Sequence, residues 1–147
     1  MLAIRDDDSP GGAAGGATVG LQGVASYDPD GDNEEHSERV ADATDGDAAT
    51  YWTTESYRGA FSKPGVGLVL EADATPKALS LTTDTPGFTA EIRAGNSPEG
   101  PFDTVVGDSK TTSATTAWEL DETDARYFVV WITELDGRAH VNEVRAS

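Results

Sequence analysis

The feature that most constrains the fold is a series of short segments in which apolar and polar residues alternate. Alternation with a period of two residues is typical of strands that bury one face, and no segment keeps the apolar spacing of a helix over a helix length. Turn residues such as "TPG", "NSPEGP" and "DGR" separate the segments. The segments are 18–27, 66–71, 78–84, 88–95, 102–107, 115–120, 126–135 and 140–146. The sequence therefore predicts an all-β fold, an antiparallel β-sandwich of the jelly-roll type.

Apolar content ranks these segments and suggests where each one lies. The segment "RYFVVWITEL" is the most apolar, so we expect it at the centre of one sheet. Trp52 and Trp131 are expected in the core. Trp118 lies in an alternating segment, and the alternation does not show whether its side chain points into the core or to solvent. The best helical candidate is 34–43, a stretch of about two turns.

The N-terminal residues differ in composition from the rest of the chain. Residues 1–17 combine charges, Pro and Ser with a run of Gly and Ala and show no periodicity, which indicates a linker or tail. No signal peptide is visible there. We expect residues 18–147 to form one domain, and Met1 directly before the tail suggests a domain excised from a protein whose anchor lies upstream.

The charge and composition exclude several kinds of partner. The chain has 10 Lys and Arg against 27 Asp and Glu, a net charge of −17. This disfavours nucleic acid and anionic membrane surfaces, because both attract cationic side chains. No apolar run is long enough to span a membrane. The negative electrostatic field of the chain attracts divalent cations. We nevertheless interpret most of the carboxylates as a solubility device or an adaptation to high salt.

Catalysis is not expected from this sequence. It contains no G-x-S-x-G nucleophile elbow, and it has no cysteine for a thiolate nucleophile, a disulfide or a zinc site. His36 and His140 are the only histidines, too few for a clustered zinc site. Two carboxylates could serve a glycosidase, but among 27 acidic residues a pair of carboxylates does not indicate one.

The stretch "DGDAATYW" (45–52) is either a polar turn ahead of a buried aromatic residue or a cradle for a cation. Ca²⁺ prefers about six to eight oxygen ligands, which carboxylates, hydroxyls and carbonyls supply. Asp45, Asp47 and Thr50 offer such oxygens, and Gly46 permits the tight backbone turn. The residues alone leave both interpretations open.

A second acidic stretch, "DPDGDNEE", begins like a calcium-binding EF-hand loop. Asp28, Asp30 and Asp32 alternate as that loop requires, but Arg39 occupies the position that needs a bidentate Glu. The stretch is therefore not an EF-hand. It either binds a second calcium through these aspartates and Glu35 or is a solvated loop.

The segment "TTESYRGAFSKPGVG" is the predicted ligand-facing loop. Sugar recognition uses an aromatic platform for the apolar face of the ring and polar groups for its hydroxyls. Tyr57, Arg58 and Phe61 offer this combination, with His36 expected nearby. The alternative is that Tyr57 and Phe61 only cap the end of the sandwich.

Two groups of motifs identify a related family. The stretch "ATDGDAATYW" and the closing "HVNEVRA" resemble the discoidin or coagulation-factor type C group, which includes many bacterial carbohydrate-binding modules and has a galactose-binding-like jelly roll. The resemblance implies one structural calcium. It implies side-chain ligands from Asp45, Thr50 and Glu143, and carbonyl ligands from Asp47 and the neighbours of Glu143.

A narrower resemblance suggests where the domain works. The motifs "YDPDGDNEEH", "DGDAATYWTTESYR" and "KPGVGLVLE", in that order, are similar to the extracellular C-terminal domain of actinobacterial-type membrane-anchored serine/threonine kinases and of pseudokinase–flippase fusions. The resemblance implies an extracellular location at the cell surface.

Together these features predict a non-catalytic, calcium-stabilised extracellular binding or sensor module of a larger membrane-anchored, kinase-like protein. Its expected ligand is a carbohydrate, such as a cell-wall glycan. The main alternative is a structural or protein-interaction domain of an envelope complex that binds no small molecule, and a further one is a domain appended to a secreted hydrolase. A concave aromatic–Arg pocket in loop 53–63 would favour the sugar.

Overall fold

The computed structural model describes residues 18–28, 36–54 and 65–147. The predicted tail, 1–17, lies outside these residues. The helical element is a 3₁₀ helix, Ser37–Ala43. The strands are β1 Leu21–Tyr27, β2 Trp52–Thr53, β3 Val66–Ala72, β4 Ala78–Thr82, β5 Thr89–Gly95, β6 Thr104–Thr111, β7 Thr115–Glu119, β8 Tyr127–Glu134, β9 His140–Val141 and β10 Glu143–Ala146.

The described strands form two main antiparallel sheets and a short strand pair. The larger sheet has the order β1-β3-β8-β5-β6, and the smaller one has the order β10-β4-β7. Strand β2 pairs with β9 beside them. Apolar side chains from both sheets pack into one core, so the architecture is a β-sandwich, and the predicted all-β fold is confirmed.

Strand β8 is central because its residues are apolar on both faces. It lies between β3 and β5, as predicted for the most apolar segment. Phe128, Val130 and Ile132 point into the core between the sheets. Val129 and Trp131 point to the opposite face of the same sheet and are also buried.

Two different hydrophobic clusters bury the tryptophans. Trp52 and Trp118 belong to the core between the sheets, which answers the open question about Trp118. Trp131 is buried as expected, but it lies in a second cluster on the outer face of the larger sheet. Tyr27 and Phe102 cover it there, with the Tyr27 ring centroid 5.5 Å from the Trp131 ring and 5.0 Å from the Phe102 ring.

Several predicted segments differ from the structure in detail: β6 ends at Thr111 and not at 107, and β4 ends at Thr82 and not at 84. The segment 140–146 is not one strand, because Asn142 separates β9 from β10 and the two pair with different partners. The predicted helix 34–43 is confirmed only as the shorter 3₁₀ helix. Among the described residues, no helix is long and apolar enough to cross a membrane.

Strand register defines two ends of the sandwich. At the first, called here the loop end, β1 finishes beside the start of β3, and β4 finishes beside the start of β10. The connection from β4 to β5 and the connection from β8 to β9 also lie there. At the opposite end, Val19 bridges to Ala146, and β5 finishes beside the start of β8.

Candidate functional site

The first polar group at the loop end is the acidic loop, residues 45–50. The 3₁₀ helix positions it by packing on β1, where a Cβ on Gly23 would come within 2.0 Å of the Val40 carbonyl oxygen. Glycine is therefore required at position 23 for this close approach. The Gly23 N–H also donates to the Thr44 hydroxyl at 3.0 Å, which fixes the residue before the loop.

Within the acidic loop, the two aspartates bond to the main chain. The Asp45 carboxylate accepts the Asp47 N–H at 2.9 Å, and the Asp47 carboxylate accepts the Ala49 N–H at 2.9 Å. Gly46 adopts a φ of +79°, a conformation that favours glycine. The loop is thus a defined turn, and the Asp47 carboxylate points back onto the loop.

The Thr50 hydroxyl lies at the centre of the acidic loop. It is 2.9 Å from the Asp47 carbonyl oxygen and 3.4 Å from the Asp42 carbonyl oxygen, and it also contacts a carboxylate oxygen of Asp45. A hydroxyl has one hydrogen and can donate it to only one of these three acceptors. The group is therefore rich in oxygen lone pairs and poor in protons, an arrangement that a hard cation would complete.

Glu143, the first residue of β10, joins this group from the far end of the sequence. Its Oε1 accepts the Gly46 N–H at 3.1 Å, and the residue is 8% exposed. Burial raises the pKa of the Glu143 carboxyl, and the charges of Asp45 and Asp47 raise it further. The pKa of Asp45 is lowered instead, because the Thr50 hydroxyl and the Asp47 N–H donate to its carboxylate.

The structure thus brings together the four predicted metal ligands, Asp45, Asp47, Thr50 and Glu143. In the described part of the chain, no three His, Asp or Glu side chains converge as a metal-binding group. The set consists instead of two carboxylates, one hydroxyl and main-chain carbonyls. Hard oxygen ligands of this kind fit Ca²⁺, whereas structural zinc sites are built mainly from Cys and His.

The second polar group is the aromatic stack, which consists of Tyr51 and His140. Their ring centroids are 4.0 Å apart and the planes are 14° from parallel. The Arg39 guanidinium lies 5.4 Å from the Tyr51 ring centroid, within the range of a cation–π contact. Asp42 holds this arginine through a 3.1 Å ion pair.

The loop after β4 fixes the orientation of the stack. An Asp84 carboxylate oxygen lies 2.7 Å from His140 Nδ1, and the His140 main-chain N–H donates to the Thr85 hydroxyl at 2.9 Å. The side chain of Asp84 is 55% exposed and that of His140 is 18% exposed. The stack therefore has a defined position and an accessible polar edge.

A cavity of about 190 Å³ lies beside Thr85. Its apolar surface comes from Pro86 and the buried side chains of Phe88 and Leu135. Asp136 and Arg138 provide its charged groups, and neither forms an ion pair within the part of the chain that the structure describes. The lining residues are Thr85, Pro86, Gly87, Phe88, Leu135, Asp136 and Arg138.

The predicted ligand loop can be compared with the structure only in part. Tyr57, Arg58 and Phe61 lie outside the described residues, so their role stays a prediction. His36 is described: it has a φ of 53° and its Nδ1 lies 3.2 Å from a Glu38 carboxylate oxygen. No described contact joins His36 to the aromatic stack.

The second acidic stretch is also only partly described. Asp28 is fully buried at the end of β1. Asp30, Asp32 and Glu35 lie outside the described residues, so the second calcium site stays a prediction.

Sequence reasoning missed the aromatic stack and the cavity beside it. Tyr51 precedes Trp52, which was expected in the core, and His140 is the first residue of the predicted segment 140–146. Asp84 was assigned to the predicted strand 78–84, and the "TPG" turn and the "DGR" turn were interpreted only as separators between strands. The signal available was that charged residues lie at both turns, Asp84 directly before the first and Asp136 and Arg138 in the second.

Comparison with known proteins identifies relatives by structure only. No family model matches the sequence, and no curated protein matches it. The fold is similar to the CBM32 module of AlyQ in complex with 4,5-unsaturated mannuronic acid: the TM-score is 0.61 at 17% identity, covering 86% of this chain and 95% of that one.

Two further structures show the same likeness. One is the CBM32-5 module of GH89 from Clostridium perfringens in complex with GalNAc-β-1,3-galactose, with a TM-score of 0.56 at 12% identity over 87% of this chain and 94% of that one. The other is a Ruminococcus gnavus GH29 fucosidase in complex with fucose, with a TM-score of 0.56 at 17% identity over 87% of this chain. This chain spans only 24% of the fucosidase. These likenesses confirm the predicted galactose-binding-like fold.

Proposed function

We propose that this chain is a non-catalytic module that binds a glycan at the loop end of the sandwich. The observation that carries the proposal is the cavity lined by Thr85, the residue that accepts the His140 N–H, together with Asp136 and Arg138, which form no ion pair among the described residues. The structural likeness to carbohydrate-binding modules supports it.

The chemistry of the cavity suits one sugar unit. Its volume of about 190 Å³ holds about six waters at the volume each takes in the liquid. The exposed ring of Pro86 offers apolar contact to a ring face, while the Asp136 carboxylate accepts and the Arg138 guanidinium donates hydrogen bonds. Sugar hydroxyls both donate and accept, so they can bond to both groups at once.

The net charge of the chain favours neutral glycans over anionic ones. At −17 the chain repels polyanions, and long-range repulsion lowers both their association rate and their affinity. We therefore propose a neutral glycan, in contrast to the mannuronic acid that occupies the AlyQ module. Tyr57, Arg58, Phe61 and His36 remain proposed as further contacts on the same end.

Isothermal titration calorimetry tests this function directly. The probes are GalNAc-β-1,3-galactose as the neutral sugar and 4,5-unsaturated mannuronic acid as the anionic one, after a glycan array has ranked the neutral candidates. We expect Arg138→Ala to abolish binding of the best neutral glycan, and Arg145→Ala to leave it unchanged. Equal affinity of the two variants would place the site elsewhere, and failure of every arrayed glycan to bind would contradict the function.

Residues Tyr57 and Arg58 have their own test. Tyr57→Ala should abolish glycan binding while leaving the melting temperature nearly unchanged. An equal loss of stability would mean that Tyr57 packs at the end of the sandwich and does not contact the ligand.

We further propose that the acidic loop binds one Ca²⁺ ion. Asp45, Thr50 and Glu143 would supply side-chain oxygens, and Asp47 would supply its carbonyl oxygen. The support is the oxygen-rich surroundings of the Thr50 hydroxyl and the contact from Glu143 to Gly46 across 97 residues of sequence. In a chain without cysteine, an ion that ties these distant segments would replace the constraint of a disulfide.

The proposed setting is the outside of a cell, as a domain of a membrane-anchored, kinase-like protein. Support comes from the sequence motifs that resemble such domains and from the glycan ligands of the structural neighbours. Cell fractionation with an antibody against this domain, followed by protease treatment of intact cells, tests the setting. Protection of the domain from the protease would contradict it.

A second candidate is a domain appended to a secreted hydrolase. It is favoured by the likeness to part of the R. gnavus fucosidase, in which this fold accounts for 24% of the chain. The same antibody distinguishes the two settings, because a secreted hydrolase would appear in the medium and a membrane-anchored protein in the membrane fraction.

A further inference from the structure

Asn142 occupies the junction between the two polar groups of the loop end. It is the residue that separates β9 from β10, it is 5% exposed, and its main-chain N–H donates to the Thr82 carbonyl at 2.9 Å. Its side-chain oxygen accepts the Asp84 N–H at 3.0 Å. Its side-chain nitrogen donates to the Ala48 carbonyl at 3.0 Å and lies 3.4 Å from an Asp84 carboxylate oxygen.

These contacts join elements that are far apart in sequence. Ala48 belongs to the acidic loop, whereas Asp84 belongs to the turn after β4. Asp84 in turn contacts His140 at 2.7 Å, and His140 stacks on Tyr51. The carboxamide of Asn142 therefore links the acidic loop to the aromatic stack through bonds of ordinary length.

The planar carboxamide gives this link a mechanical consequence. Its nitrogen and oxygen are held in one rigid group, so a rotation that follows the Ala48 carbonyl also moves the acceptor of the Asp84 N–H. Because the side chain is buried, water does not readily replace either bond, and breaking one leaves a polar group unsatisfied. Glu143, the next residue, holds the same loop through Gly46.

We propose that Asn142 is a positioning residue that couples the acidic loop to the glycan-binding surface. The conformation of the loop sets the orientation of Asp84 and His140, and through Thr85, which accepts the His140 N–H, it reaches the wall of the cavity. The proposal rests on the proposed function, since it assigns a role to the surface where the glycan binds. Coupling of this kind is reciprocal, so a ligand on the stack also changes the equilibrium of the loop.

A double-mutant cycle tests the coupling. Thr50→Val perturbs the acidic loop by removing its central hydroxyl, and Asn142→Leu removes both side-chain bonds of the link while keeping a similar volume. The first readout is the NMR chemical shift of the Asp84 amide proton and the His140 ring protons, which needs no ligand. The second is the affinity for GalNAc-β-1,3-galactose, or for the best neutral glycan of the array.

We expect Thr50→Val to shift the Asp84 amide and the His140 ring in the parent and to weaken glycan binding about fivefold, the lower range of allosteric coupling. In the Asn142→Leu background, the same change should leave these signals in place and alter affinity less than about twofold, the scatter expected of independent sites. Thr75→Val and Asn96→Leu, at the opposite end, are the matched controls and should change neither readout.

Equal shifts of the Asp84 amide and the His140 ring from Thr50→Val in both backgrounds would overturn the proposal. If Asn142→Leu does not fold, Asn142→Asp takes its place, because it keeps the acceptor for the Asp84 N–H and removes the donor to Ala48. An Asp84 amide that still follows Thr50→Val in that variant would overturn it equally.

A calcium titration of the parent separates this proposal from the function on which it rests. Ca²⁺ that moves the Gly46 and Ala49 amides together with the His140 ring supports the coupling. Movement of the amides alone overturns the coupling and leaves the calcium site standing. If Ca²⁺ moves neither, the calcium site fails and the ring shifts of the double-mutant cycle decide the coupling. Absence of glycan binding counts against the function only.

Discussion

The two ends of the sandwich carry similar charged residues but connect them differently. At the opposite end, Arg126 pairs with Glu71 at 2.6 Å and Asp73 accepts the Gly20 N–H at 2.9 Å. At the loop end, carboxylates of Asp45 and Glu143 meet main-chain N–H groups and a hydroxyl within one turn. The loop end also has the aromatic stack.

Cavity volume alone would favour the opposite end as the binding site. The opposite end has cavities of about 310 and 350 Å³ around Asp73 and Arg126, both larger than the cavity of about 190 Å³ at the loop end. The larger cavities have no aromatic residue among their linings, and their arginine is already paired. We therefore rank the loop end first on its chemistry. Neither volume nor the number of carboxylates identifies a site in so acidic a chain.

The largest expected difference between the ends is the response to calcium. A ligand that binds only the folded state at about 100 times its dissociation constant adds about 2.7 kcal/mol to the free energy of unfolding. We expect Ca²⁺ to raise the melting temperature of the parent by several degrees, because its loop would gain the ion. Thr50→Val should lose most of this gain, and Thr75→Val, at the opposite end, should keep it.

Ionic strength is the necessary control for this prediction. A chain of net charge −17 gains stability from screening alone, so the calcium melts are compared with NaCl of the same ionic strength. Mg²⁺ should give a smaller gain, because it demands a tighter octahedral set of ligands. If Thr50→Val responds to calcium as Thr75→Val does, the ion binds outside the acidic loop.

The second largest expected difference between the ends is the effect of a substitution at each end on glycan affinity. Tyr51→Ala removes one half of the aromatic stack, and loss of such an anchor costs about 2 kcal/mol, or about 30-fold in affinity. Arg126→Ala should leave affinity unchanged, because Arg126 is already paired with Glu71 and no aromatic residue lines its cavities. Calorimetric titration with the best neutral glycan measures both, and a larger loss in Arg126→Ala would assign binding to the opposite end.

The ion pair of the opposite end should contribute little to stability. The Arg126 side chain is 67% exposed, and exposed pairs contribute about 0–1 kcal/mol, less at high salt. Arg126→Ala should therefore lower the free energy of unfolding by less than about 1 kcal/mol in urea titrations. A larger loss that persists in 1 M salt would show that this end is a rigid structural element.

The pH dependence of Glu143 gives the smallest expected effect. Its pKa is raised in the folded state, chiefly by burial, so the folded chain binds its proton more tightly than the unfolded chain. Without calcium, its contribution to stability therefore falls as pH rises from the ordinary value of 4.5 through the raised pKa. In chelator, Glu143→Gln should be at least as stable as the parent at pH 7, and the difference should disappear near pH 4.

How much of this could be predicted depends on whether the signal is local. The strands follow from alternation within each segment, and the central position of β8 follows from its apolar residues on both faces. The break at Asn142 could not be predicted, because β9 and β10 are separated by the partners they choose, β2 and β4. Partner choice depends on packing across the whole domain.

The same distinction holds for the candidate site. Asp45, Asp47 and Thr50 lie within six residues, and the resemblance to a family supplied Glu143, so all four were predicted and do lie together. Tyr51 and His140 meet only because β2 pairs with β9, a pairing that no local pattern indicates. Asn142 looked like one more polar residue in a strand.

The most direct test of the calcium clamp compares the parent with Glu143→Gln, each melted at pH 7 in chelator and in calcium at matched ionic strength. Glutamine keeps an oxygen for the Gly46 N–H but loses the charge that the cation needs. We predict that the order of stability reverses: the variant is equal to or above the parent in chelator and below it in calcium. Parallel changes in both proteins, with no reversal, would contradict the account and leave the acidic loop as a turn.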